Sequence, residues 1–253
     1  MTCLPKVRPR ETNLFVLMVS FNRCTWGGIL TTGGIYIMQV RDLIKRMNNF
    51  DIKVIFESGE VLSSRISEGR SPIYFVPVRG KERKKYDNLS DKRKKTFTSN
   101  SAAIYIGDLS VRELVDIFEC DGTGIHEFTT SVIAPYCEKY DISKDIVYVL
   151  FLFLHEVGYW NQFKNLEKNV FDFVNMDVEL YKRNFDEMQI LNNKIREQNA
   201  CSNIDVGQKL TFYEMELLKK LMEEYRNIPK EKEADEFALG IIDDVLTSYK
   251  TTE

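Results

Sequence analysis

The chain has 253 residues, of which 43% are hydrophobic and 29% charged, enough to bury a sizeable core. Lys and Arg number 35 against 38 Asp and Glu, a net charge of −3, which excludes a histone-like polycation. The longest unbroken apolar run, Ile146 to Leu154, falls well short of the roughly 20 residues that span a bilayer, so no membrane partner is expected.

Residues 1–37 read differently from the rest. Lys6, Arg8 and Arg10 precede a short apolar stretch, Leu14 to Phe21, but Glu11 and Asn13 interrupt any signal-peptide pattern and no A-x-A site follows. Gly33-Gly34 followed by Ile35-Tyr36-Ile37-Met38 can be encoded by a GGAGG run, a short spacer and an ATG, the layout of a bacterial ribosome-binding site. The expectation is that residues 1–37 are a mis-assigned leader and that translation starts at Met38. The competing reading is an ordinary N-terminal strand pair.

After Met38, the spacing of Val40, Leu43, Ile44 and Met47 predicts a short helix over 40–48. Asp51 to Phe56, the turn at Ser58-Gly59-Glu60 and the stretch from Val61 predict strand, turn and strand. Ile73 to Val78 reads as a strand, with Pro77 favouring a sheet edge. Residues 79–95 hold nine Lys/Arg and three Asp/Glu, leaving 26 basic and 35 acidic residues elsewhere, a net of −9. Without apolar periodicity, this segment predicts a mobile basic loop over 79–100. Its plain reading is a solvated linker; its functional reading is contact with an acidic partner or nucleic acid.

Ala102 to Ile106 predicts a strand, and Ser110 with Glu113 forms a capping box opening a helix through Phe118. Asp121-Gly122-Thr123-Gly124 is a turn with no phosphate-loop pattern. From about Thr129 the chain reads as mostly helical: a helix from Lys144 to about Lys164 behind Ser143, and one or two over 167–198. A further helix runs from the capping box Thr211/Glu214 to Arg226, and a last one from Pro229 to near Ser248. The expected fold class is α+β. A small strand-containing region over 38–100 precedes an α-rich half over 101–253.

Five scattered cysteines without a CxxC pair argue against a disulfide framework or a cysteine zinc site, and suit a reducing, cytoplasmic setting. His126 and His155 are the only histidines, which excludes a three-histidine metal site. His155-Glu156-Val157-Gly158-Tyr159 follows the apolar run. In an H-E-x-x-H helix the two histidines share one face and hold zinc, while the Glu is general base toward the metal-bound water. Here the fifth position is Tyr159. Some eighty residues on stands Glu231-Lys232-Glu233-Ala234-Asp235-Glu236-Phe237-Ala238.

These two segments resemble the paired helices of zincin metallopeptidases of the gluzincin kind, including the ImmA/IrrE-like peptidases of bacterial mobile elements. The resemblance covers roughly 144–164 and 229–248. It implies His155 as first zinc ligand, Glu156 as catalytic base and Glu233 as carboxylate ligand, with Glu231 and Glu236 as alternatives. Tyr159 falls at the second histidine, a weak or lost ligand position, since a phenol of pKa about 10 must ionise before it binds zinc. The expectation is a degenerate or weakly active zinc-dependent peptidase hydrolysing a protein or peptide substrate, with zinc weakly held or absent. The alternative is a non-catalytic binding module of bacterial or phage/plasmid origin that uses the same scaffold to contact a protein or DNA. Trp160 reads as core rather than pocket rim.

Overall fold

The computed structural model describes residues 38–47, 50–67, 70–119, 125–201 and 212–252. The expectations for residues 1–37, for the turn at 121–124 and for the cap at Thr211 lie outside these residues.

Helix α1 (Val40–Met47) turns all four of its periodic apolar residues inward. Strand β1 (Lys53–Glu57) follows. The second strand expected from Val61 is instead helix α2 (Gly59–Ser67). The Leu62 N–H closes the first turn on the Ser58 carbonyl, and the Leu62 side chain seats against Gly107, where a Cβ would come within 2.7 Å of it. A helix covering the sheet, rather than a hairpin extending it, buries that leucine.

Strand β2 (Ile73–Val76) leads to the basic segment, which is not the loop expected but two short helices, α3 (Gly80–Asp87) and α4 (Asp91–Lys94). What anchors them lies outside the segment. Glu82 accepts hydrogen bonds from Ser99 Oγ (2.6 Å) and Ser101 N (3.1 Å), and Tyr86 packs its ring on Phe97. Strand β3 (Ala103–Gly107) then enters the middle of a three-stranded sheet of order β1-β3-β2. It runs parallel to β1 and antiparallel to β2, so Phe75 faces Ile104 and Ile55 faces Tyr105. β2 is an edge strand, in keeping with Pro77 just beyond it.

The capping box forms as expected: Ser110 N donates to Glu113 Oε2 (2.9 Å) and Glu113 N to Ser110 Oγ (3.2 Å), opening α5 (Val111–Glu119). Helix α6 (Ile125–Tyr140) is followed by α7 (Lys144–Asn165). From Val147 to Trp160 every residue of α7 is buried, as expected for a helix enclosed on all sides. It lies against the sheet through β2 and against α1, α5, α6 and the last helix. Short α8 (Val170–Asn175) and long α9 (Val178–Cys201) are the two helices of the 167–198 stretch, separated at Asp177, whose φ is 58°. Helices α10 (Phe212–Arg226) and α11 (Pro229–Thr252) complete the chain.

The molecule is therefore α+β, with its sheet in the N-terminal part and helices in the C-terminal half. One apolar core runs from Val40 to Tyr249 without a break at residue 100, because β3 pairs with both earlier strands. A second, smaller cluster of Met188, Leu191, Leu221 and Met222 joins α9 to α10. Among the described residues no helix is long and apolar enough to cross a membrane.

Candidate functional site

The site forms where α7 crosses α11, and the close approach of the two helices depends on small residues. A Cβ on Gly158 would stand 2.8 Å from Ala234 Cα and 2.9 Å from its carbonyl oxygen. Ala234, Ala238, Ile242, Leu246 and Tyr249 make the buried stripe of α11 at helical spacing. Glu231 and Asp235, one turn apart, lie beside that stripe. Glu231 is 1% exposed, whereas Glu233 and Glu236 are on the solvent side, with Glu236 paired to Lys232. The structure thus brings Glu231, and neither Glu233 nor Glu236, to His155.

His155 is held between two carboxylates. Its Nδ1 lies 2.7 Å from Asp235 Oδ1 and its Nε2 lies 3.5 Å from Glu231 Oε2. Burial works against the imidazolium, but hydrogen bonds to Asp235 and Glu231 outweigh it and raise the His155 pKa. Burial likewise opposes the Glu231 carboxylate, and His155, Arg226 and Tyr159 together outweigh it and lower its pKa. Asp235 also accepts from Arg226 Nη1 at 3.0 Å.

Tyr159 stands one turn after His155, on the same face. Its hydroxyl donates to Glu231 Oε1, which also accepts from Tyr181 OH at 2.6 Å. Burial first, then the Glu231 charge, push the Tyr159 pKa well above 10, so the phenol keeps its proton. Glu156 is buried on another side of α7, where Oε2 accepts the Phe75 backbone N–H of β2 at 2.6 Å. Burial pushes its pKa up to about 7, against the lowering effect of the His155 charge. Lys230 is also buried: its Nζ donates to the Phe173 carbonyl (2.8 Å) and sits 3.6 Å from the Phe173 ring centre. Burial lowers its pKa to about 8.

Two donors bound about 2.0–2.2 Å from one tetrahedral zinc stand roughly 3.3–3.6 Å apart, so His155 Nε2 and Glu231 Oε2 have the spacing of two ligands. The rest of the donor set does not fit. The third place holds a protonated phenol that donates to Glu231 rather than offering a lone pair. Among the described residues no group of three or more His, Cys, Asp or Glu side chains is arranged to hold a metal. His126 does not join the site: it lies on α6, 3.5 Å from Glu119 and against the Tyr148 ring. Trp160 is in the core, packed near Phe75 and Phe163.

The sequence reading assigned no role to Asp235, Arg226, Tyr181 or Lys230. Asp235 carried a usable signal, being four residues after Glu231 and so on the same helical face. Arg226 and Tyr181 carried none, since only the packing of α9 and α10 delivers them. No protein-family profile, curated protein or solved structure matches this chain.

Proposed function

We propose that this protein is a peptidase-like scaffold of the zincin kind that has lost hydrolytic chemistry and acts as a non-catalytic binding module toward a protein or nucleic acid. The observation that carries this reading is the Tyr159 hydroxyl bonded to Glu231 beside His155. Where a second imidazole would offer a lone pair to zinc, a phenol closes the site as a hydrogen-bonded network. The placement of Glu156 supports the same reading, because a carboxylate accepting a strand N–H is directed at the sheet rather than at a water beside His155. On cysteine usage, we assign the protein to a reducing, cytoplasmic setting.

A second reading, a weakly active zinc peptidase, draws on the 3.5 Å spacing of His155 Nε2 and Glu231 Oε2. Zinc stoichiometry of the purified parent and of Tyr159→His separates the two. The expected result is well under one zinc per chain in the parent, with little peptidase activity, and a gain toward one zinc in Tyr159→His. A parent that holds a full equivalent and cleaves peptides would establish the enzyme instead. A Tyr159→His protein that keeps its circular dichroism but gains no zinc would remove the peptidase-like reading altogether.

A further inference from the structure

We propose that the lysine-rich face built by α3, α4 and the turn between α7 and α8 binds the phosphate backbone of double-stranded nucleic acid. This names the partner of the binding role proposed above and rests on that reading.

The first observation is how the acids of residues 79–95 are used. Glu82 turns toward Ser99 and Ser101, Asp87 pairs with Arg83 at 2.9 Å, and Asp91 lies 4.0 Å from Lys94. Lys81, Lys84, Lys85, Lys92, Arg93 and Lys95 are all exposed, and none has an ion pair among the described residues. The acids of the segment are thus drawn to Ser99, Ser101, Arg83 and Lys94, which leaves these six cations facing solvent.

The second observation is that this charge extends onto chain some seventy residues away. Asn169 Nδ2 donates to the Lys95 carbonyl (2.8 Å), Ser99 N to the Lys168 carbonyl (3.0 Å) and Val170 N to the Phe97 carbonyl (3.2 Å). Lys168 Nζ reaches Asn100 at 3.4 Å. Lys164 and Lys168, both over the Trp160 ring, therefore continue the row of cations that Lys85 and Lys95 begin over Phe97 and Phe171, with the exposed acids Glu167 and Asp172 beside them so that this turn adds spaced cations but no net charge.

The third observation selects the partner. Binding energy at protein interfaces concentrates in apolar or aromatic anchors, and stable membrane anchoring adds apolar insertion to a basic patch. The large hydrophobic residues exposed among those described, Val61, Ile190 and Tyr213, lie on α2, α9 and α10, away from this face. The aromatic rings beneath the lysines are engaged in packing: Tyr86 lies on Phe97, and Trp160 is 6% exposed. Stacking of single-stranded bases has no platform here. A duplex backbone needs only spaced cations. Outside residues 79–95 the chain has a net charge of −9, which repels a polyanion and confines contact to the basic face.

The test is fluorescence anisotropy of the full chain with a labelled mixed-sequence DNA duplex over a salt series. Contact with about five phosphates corresponds to a log–log salt slope of about −4.5. The double variant Lys84→Glu/Lys85→Glu and the separate variant Lys164→Glu should each weaken binding about tenfold or more, the double variant lowering the slope by about two. Lys182→Glu/Arg183→Glu on α9, the same charge change away from the face, should leave binding within about twofold on the same electrostatic argument. Equal binding of an RNA duplex supports contact through phosphates alone. Absence of binding, equal loss in the α9 control, or poly-glutamate competing as well as unlabelled duplex would overturn the proposal. None of these arms touches the zinc test at Tyr159, so the two readings fail separately.

Discussion

Tyr159 and Glu231 illustrate how one side chain sets the chemistry of its surroundings. The phenol donates a hydrogen bond to a buried carboxylate that Tyr181 and His155 also engage. Removing that donor alone leaves part of a buried charge without a partner, so Tyr159→Phe should cost about 1–3 kcal/mol in chemical denaturation. An unchanged midpoint would mean that the remaining partners, Tyr181, Tyr225, His155 and the Arg226 charge, satisfy the carboxylate without it. The same geometry ranks the acids of α11. In a Tyr159→His background, Glu231→Gln should abolish the gained zinc, whereas Glu233→Gln should leave it intact, because Glu233 faces solvent. Metal analysis of the two double variants decides this, and the opposite ranking would favour the assignment made on motif alignment. The motif alignment named Glu233, whereas the carboxylate of α11 that faces His155 is Glu231. Letters in a motif fix an order, but the face is fixed by spacing from Ala234 and Ala238, whose burial is visible only once α11 meets α7.

At the scale of elements, packing between α7 and α11 depends on Gly158. In Gly158→Ala, the added Cβ meets Ala234 backbone atoms at 2.8 and 2.9 Å, contacts a flexible side chain cannot relieve. Melting experiments should show a loss of about 1–3 kcal/mol, and a neutral result would mean the helices can slide apart at little cost. The basic segment depends on a different device. The Ser99 hydroxyl holds the Glu82 carboxyl below its usual 4.5, against the opposing effect of burial, with Ser101 assisting. A depressed carboxylate contributes stability that is present above 4.5 and lost as pH falls through the folded-state value. Glu82→Gln should therefore be destabilising by about 1 kcal/mol at neutral pH, a figure held down by solvent screening, and should converge on the parent as pH falls through the folded-state value. A gap that does not depend on pH would show that the charge is not what docks α3. These helices were illegible in sequence because their anchors, Ser99, Ser101 and Phe97, follow the segment and imprint no apolar period on it. The helix at Val111 was legible because Ser110 and Glu113 cap it from within. The helix at Gly59 was hidden because what fixes it, the space beside Gly107, belongs to another strand.

Over the whole molecule, stability is unevenly distributed. One core links α1, the sheet, α5 to α8 and α11, while α9 and α10 share a small cluster of their own, are tied together by Asn184 Nδ2 donating to the Leu221 carbonyl, and reach the body through Tyr181 and Arg226. Hydrogen exchange should open amides over 216–222 of α10 well before those over 147–160 of α7. Equal protection would show a single cooperative unit. The fold class was readable from alternating strand and helix signals, but the continuity of the core was not, because β3 joins two earlier strands, one of them about fifty residues back along the chain. The outer edge of β2 has a further consequence. Ser71 Oγ engages both the N–H and the carbonyl of Ile73, Glu156 takes the Phe75 N–H, and Pro77, next in the outward register, has none to give. An unpaired strand edge is a template on which another chain can polymerise. Here three side chains terminate it, so the buried Glu156 carboxylate serves as a stopper against edge-on growth of the sheet.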